Sequence, residues 1–168
     1  MLKLRKVPRW EEVLHFWEGV KNSSSLKEEY KILLGFVLLT GLRISEVLNI
    51  KREDIDFKNK LVRVQQKKKR KEAYREVFVP DSLLELIKNS KWNEFKISRR
   101  WAYHIVKKNT GYHPHAFRHS FALMLLGKTK NLEIVRRLLG HSNYNIIKEY
   151  LNYTIEDIKE IVSGIYEN

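Results

Sequence analysis

Between Arg9 and Lys21 the apolar residues Val13, Phe16, Trp17 and Val20 fall at helical spacing and predict a short amphipathic helix. Ser23–Ser25 then offer N-cap hydroxyls ahead of Lys27, Glu28 and Glu29. The helix expected next, to about Thr40, is apolar almost all round through Ile32, Leu33, Leu34, Phe36, Val37, Leu38 and Leu39. A helix with no polar face belongs in the interior. Gly41 is placed to end it, and Ser45 with Glu46 opens another short helix through Val47 and Leu48.

The period then changes. Ile55 and Phe57 flank Asp56, Lys58-Asn59-Lys60 reads as a turn, and Leu61, Val62 and Val64 as a strand. A basic turn, Gln65–Lys71, separates it from a third strand through Val77, Phe78 and Val79 that ends at Pro80. Asp81 or Ser82 caps a helix over Leu83–Asn89. Further helices are expected over Ser98–Asn109, Phe117–Leu126, Leu132–Leu139 and Asn145–Asn152. Thr154 and Asp157 resemble a capping box for a last helix carrying Ile155, Ile158, Ile161, Val162 and Ile165. The expected fold is mainly α with a small three-stranded antiparallel β-sheet, in a single domain.

Composition narrows the chemistry. The 168 residues include no cysteine, which excludes disulfides, thiolate zinc sites and cysteine nucleophiles. The longest apolar run, Ile32–Thr40, is too short to span a bilayer, and no secretion signal opens the chain. A cytoplasmic protein with no membrane partner is expected. Lysine and arginine total 33 against 20 acids, a net charge of +13. Such a domain has an electrostatic reason to bind polyphosphate, because each neutralised phosphate releases counterions. A lysine-rich solvated surface would look the same by charge alone.

Three arrangements carry candidate chemistry. In Thr40-Gly41-Leu42-Arg43-Ile44-Ser45-Glu46, an arginine sits in a tight link anchored by core on both sides; an i,i+3 pair with Glu46 is the alternative reading. In His113-Pro114-His115-Ala116-Phe117-Arg118-His119-Ser120, His115 and Arg118 share a helical face, and an imidazole beside a planar fork suits a phosphodiester. Pro114 fits a helix start. The three histidines 113, 115 and 119 are the metal-binding alternative, without a cysteine or acidic ligand in the cluster. His119 reads as a structural residue. In Leu139-Gly140-His141-Ser142, His141 stands at a helix C-terminus, where the dipole favours its proton, and Tyr150 follows nine residues later. Tyr144 and Tyr153 are local rivals, and an amphipathic packing tyrosine is the alternative reading of Tyr150.

The order TGLR-SE, a basic turn between strands, HxxRH, LGHS, then a tyrosine nine residues on resembles the tyrosine recombinase (phage integrase) family across about two thirds of the chain. The resemblance implies that Arg43 is the first catalytic arginine, His115 and Arg118 the HxxR pair, His141 the histidine-or-tryptophan position and Tyr150 the nucleophile. Glu46 matches the acidic residue that supports the first arginine. The family's lysine lies in the turn between the second and third strands, here without the common Gly-Lys-Gly. Counted forward from the strand it falls at Lys67, and counted back from Pro80 nearer Lys71; Lys67 is the candidate. Phe117 replaces the usual leucine of HxxR, a change of packing rather than chemistry. Only about twenty-five residues precede the core helix, too few for the family's N-terminal DNA-gripping domain, so a catalytic fragment is expected.

By this resemblance the protein is a site-specific recombinase or integrase that cuts and rejoins double-stranded DNA through a 3′-phosphotyrosine, with no cofactor, metal or ATP. It would be a monomer alone and act with copies of itself, as a tetramer, in a synaptic complex. The last helix would dock on a neighbouring copy or on its own domain. The alternatives are a type IB topoisomerase-like nicking-closing enzyme and a DNA-binding accessory module without catalysis. Viral integration, plasmid resolution and chromosome-dimer resolution all fit.

Overall fold

The computed structural model describes residues 7–68, 71–140, 159 and 162–164. Helices α1 (Trp10–Lys21) and α2 (Glu28–Leu39) lead into the five-residue α3 (Ile44–Leu48) and a 3-10 turn, Arg52–Asp54. Strands β1 (Ile55–Asp56), β2 (Leu61–Lys68) and β3 (Lys71–Phe78) follow, then α4 (Asp81–Lys88), α5 (Arg99–Thr110), α6 (Pro114–Thr129) and α7 (Leu132–Leu139). The strands form one antiparallel sheet in the order β1-β2-β3, with Val62 opposite Val77 and Val64 opposite Arg75. The mainly helical architecture with its small sheet is the one expected from the sequence.

Helix α2 is the centre of the molecule. Every residue from Ile32 to Leu39 is buried, and α1, α3, α4, α5 and α6 pack around it. Each fully buried Leu, Ile or Phe contributes about 1.5–3 kcal/mol, so this all-apolar helix supplies much of the folding free energy. Gly35 makes the closest packing possible: a Cβ there would lie 2.5 Å from Leu83 Cδ1 and 2.9 Å from Trp17, so α1 and α4 both lean on a bare backbone. The Trp17 indole also donates to Ser82 Oγ at 2.9 Å, tying α1 to α4. A smaller cluster of Ala122, Leu126, Val135 and Leu139 joins α6 to α7.

Several boundaries differ from the sequence expectation, each for a local reason. Ser23–Ser25 do not cap α2: its N-cap is Lys27, and Ser23 Oγ instead accepts from the Ser25 and Leu26 N–H groups in the preceding turn. Pro80 holds the N-cap position of α4, which frees Asp81 to pair with Lys60 and Ser82 to receive Trp17. Helix α6 starts at Pro114 rather than Phe117, because proline at N1 loses no hydrogen bond, and it runs on to Thr129. The basic stretch Gln65–Lys71 is mostly strand: β2 continues to Lys68 and β3 starts at Lys71. The helix expected over Asn145–Asn152 lies outside the described residues, as does most of the last helix.

Candidate active site

The site is built around Arg118. This residue lies one turn into α6 and is the largest fully buried side chain among the described residues, at 1% exposure. A buried guanidinium needs acceptors, and two backbone carbonyls receive its Nη groups. Arg118 Nη1 donates to Gly41 O at 2.7 Å and Nη2 to Leu139 O at 2.8 Å. Gly41 belongs to the link between α2 and α3, and Leu139 ends α7, where helical carbonyls lack intrahelical donors. One side chain therefore draws together three stretches the sequence singled out separately.

Both flanking glycines are left-handed and closely packed. Gly41 has φ +71°, and a Cβ there would meet Phe121 Cδ1 at 2.4 Å. Gly140 has φ +68° as the left-handed cap of α7, and a Cβ there would lie 2.9 Å from the Arg75 guanidinium carbon. L-residues with side chains disfavour this conformation.

Arg43 occupies the N-cap of α3 with extended backbone angles and an exposed side chain. Its N–H donates to Glu46 Oε1 at 2.9 Å, so the carboxylate three residues on fixes where the arginine leaves the chain. Glu46 is no simple i,i+3 partner of Arg43. Its two oxygens receive the fork of Arg75, at 2.5 Å from Nη1 and 3.2 Å from Nη2, and Arg118 Nη1 stands 3.8 Å away. Burial pushes the Glu46 carboxyl up, but the Arg75 hydrogen bonds and charge, the Arg43 N–H and the Arg118 charge outweigh it, and its pKa ends below the ordinary value.

His115 is exposed, at the second position of α6 and close enough to Arg118 and Arg43 for both charges to act on it. Partial burial, then those two cations, lower its pKa, so the ring is neutral at pH 7 and can both donate and accept. His119 is buried edge-on against it, centroids 4.7 Å apart, and burial with the charges of His115 and Arg118 lowers its pKa to about 4. That fits the structural role expected for His119. His113 is the N-cap residue of α6 and its Nδ1 meets the Tyr103 hydroxyl, away from any ligand cluster. Among the described residues, no three histidine or acidic side chains converge as a metal site.

The structure thus brings together Arg43, Arg118, His115 and Glu46. Lys67 lies in β2 opposite Glu72, in the strand row of Arg63 and Gln65, whereas Lys68 and Lys71 share the row of Val64 and Arg75. His141, Tyr150 and the rival tyrosines Tyr144 and Tyr153 lie outside the described residues. Arg75 is the member sequence reasoning missed. Its signal was present: the alternation Arg75, Val77, Val79 places a charge where the strand faces the core.

A model of the phage integrase family matches residues 9–99 and 88–156. Tyrosine recombinase XerA of Thermococcus onnurineus (strain NA1) is 30% identical over 159 residues, covering 79% of this chain and 56% of that protein. A tyrosine recombinase of Thermosipho africanus (strain TCF52B) is 31% identical over 169 residues, 88% of this chain and 58% of that one. The chain therefore spans somewhat more than half the length of these curated relatives. Among solved structures, XerH site-specific recombinase in a post-cleavage complex with its palindromic difH substrate superposes with a TM-score of 0.80 at 22% identity, over 99% of this chain and 54% of that one. XerA recombinase gives 0.66 at 18% identity, over 86% and 57%. The family match covers nearly all of the chain, and the solved structures share its fold: this chain belongs to the phage integrase family.

Proposed function

We propose that the protein is the catalytic part of a site-specific tyrosine recombinase that cuts and rejoins duplex DNA. The observation that carries this is the convergence on Arg118 of the TGLR link, the HxxR helix and the carbonyl before Gly140, which fixes a guanidinium in a preorganised place. The Tyr150 phenolate attacks a DNA phosphorus; the tyrosine–phosphorus bond forms, the bond to the 5′-oxygen breaks, and a 3′-phosphotyrosine remains. Arg43 and Arg118 bind the non-bridging oxygens, where charge accumulates in the transition state. His115 and His141 donate to the same phosphate, and Lys67 protonates the departing 5′-oxygen. A second 5′-hydroxyl reverses the step and joins a new strand. No cofactor enters, since the phosphotyrosine conserves the energy of the broken bond.

Duplex DNA is the partner this reading requires, and the exposed face of α5 suits it. Arg99, Arg100, Lys107 and Lys108 stand there beside the exposed rings of Trp101 and Tyr103. Exchange between two duplexes needs four cleavages, so four copies act together, in the cytoplasm of a prokaryotic cell or of the host cell of a virus or plasmid. Among the described residues, no helix is long and apolar enough to cross a membrane.

The test is covalent capture. A pool of sequence-randomised duplexes, nicked so that the 5′-hydroxyl strand diffuses away, is incubated with the protein in EDTA and denatured. The reading expects a protein–DNA adduct that Tyr150→Phe abolishes and Tyr153→Phe retains. Salt-sensitive binding without any adduct would instead identify a DNA-binding module with no cleavage activity of its own.

A further inference from the structure

We infer that Arg75 is a positioning residue: from the sheet it holds Glu46, and through it the Arg43 backbone and Arg118, while its guanidinium packs on Gly140. The inference rests on the phosphoryl-transfer reading above and adds a residue that none of the sequence motifs contains.

Stability alone does not explain this arginine. Its side chain is 9% exposed on a strand whose neighbouring core positions are Val77 and Val79. A hydrocarbon there would fill the space without desolvating a charge, and a buried ion pair rarely outperforms one. Arg75 Nε is also buried with no hydrogen-bond partner, a further cost. The arrangement makes sense as a brace. Arg75 reaches 29 positions back in sequence to Glu46 and abuts Gly140, where α7 ends and the segment toward His141 begins.

What the brace controls follows from the geometry. Helix α3 is a single turn, too short to persist by its own propensity, and its entry is set by the Arg43 N–H on Glu46 Oε1. Without the fork of Arg75, the Glu46 carboxylate still has Arg118 Nη1 at 3.8 Å. Glu46 then either swings onto Arg118, pulling it from the Gly41 and Leu139 carbonyls, or takes up a proton. Both outcomes misplace the phosphate-binding groups. Arg75 also stands across the ladder from Val64, four positions from Lys71, so the same contact locates the lysine-bearing hairpin against the arginines. It touches no DNA in this scheme; it holds the groups that do.

The experiment uses a nicked duplex recovered in the capture above and follows single-turnover adduct formation by the parent, Arg75→Met, Arg75→Lys and the double variant Arg75→Met/Glu46→Gln. The adduct rate of Arg75→Met is expected to fall about 10–100-fold, the scale of a small misplacement of catalytic groups, with duplex affinity near the parent's. Its rate is expected to rise with pH through an inflection absent from the parent and removed by Glu46→Gln, because the buried carboxyl has lost its main cation. Arg75→Lys, which keeps the charge but not the fork, recovers part of the rate. Without DNA, carboxyl-carbon NMR should show Glu46 titrating higher in Arg75→Met. An adduct rate equal to the parent's overturns the inference, as does a loss that merely follows the folded fraction, with no inflection and no rescue. If Arg75→Met does not fold, Arg75→Lys decides: slower cleavage at parental affinity supports the brace, and parental speed refutes it. A parent that forms no adduct defeats the functional reading itself, whereas an active parent with an indifferent Arg75→Met defeats only this inference.

Discussion

Gly41→Ala tests whether the link between α2 and α3 is as tightly constrained as its geometry requires. Two costs are separable. An alanine at φ +71° sits in the left-handed region, at about 1–2 kcal/mol. Its Cβ would also stand 2.4 Å from Phe121 Cδ1, and that ring is itself held edge-on against Trp10 at 5.9 Å, so relief by movement is limited. Overpacking of this kind costs about 1–3 kcal/mol. The expected loss is therefore about 2–5 kcal/mol, or on the order of 5–15 °C in the unfolding midpoint of a domain this size. Urea denaturation of Gly41→Ala, Phe121→Leu and the double variant separates the terms: leucine at 121 should restore the packing share and leave the backbone share. The adduct rate should fall as well, because Gly41 O is the acceptor that holds Arg118 at 2.7 Å. A loss below about 1 kcal/mol in the single variant would refute the strained-link account, the left-handed cost alone reaching that value.

Further expectations follow from other parts of the molecule. Gly35→Ala gains up to about 1 kcal/mol of helix propensity but drives a methyl into Leu83 and Trp17, so chemical denaturation should show a net loss of about 1–2 kcal/mol; a stabilised variant would mean that α1 and α4 can retreat. For His119, the folded pKa of about 4 lies below the unfolded value of 6.5, so the unfolded chain binds the extra proton between them. Stability is then complete above pH 6.5 and falls as the pH drops toward 4, by up to about 3 kcal/mol at its lower end; His119→Phe should flatten that part of the stability profile, and an unchanged slope would assign it to other groups. For the lysine, Lys67→Met, Lys68→Met and Lys71→Met are compared on duplexes with sulfur in place of the bridging 5′-oxygen. The variant slow on oxygen but restored on sulfur, which leaves without a proton, identifies the general acid, and restoration of Lys68 or Lys71 rather than Lys67 would replace the candidate.

What the sequence made legible depended on whether a residue's role was local. Helix α2 could be read because eight consecutive core positions leave no polar face, and α7 because its apolar spacing runs cleanly from Leu132 to Leu139. Arg43, Arg118 and His115, which the structure brings together, were marked by short motifs, each lying within one link or one helical turn. The capping residues of α2 and α4 were misassigned because a serine hydroxyl serves an N–H in its own turn or a distant indole as readily as a helix end. The strand ends at Lys68 and Lys71 were hidden because lysines at a hairpin tip carry no alternation to read.

Arg75 was missed for a different reason, one that bears on how such a site is assembled. Its partners, Glu46 and Gly140, are 29 and 65 positions away, and no spacing rule spans such separations. Yet those long contacts join the parts of the site that local motifs leave unconnected. The arginines come from loops and helices packed on α2, whereas the candidate lysines come from the β2–β3 hairpin. A phosphate site drawn from both would need the hairpin fixed to within a fraction of an ångström. Linking it to the arginine scaffold requires a side chain that leaves the sheet on the core side, reaches a buried carboxylate and matches its geometry at two points. Among the twenty amino acids, arginine alone has the length, the permanent charge and the fork to do so. A charged residue in the inward row of a strand, beside valines, is accordingly the mark to look for when a site's motifs lie on separate elements and nothing nearby in sequence connects them.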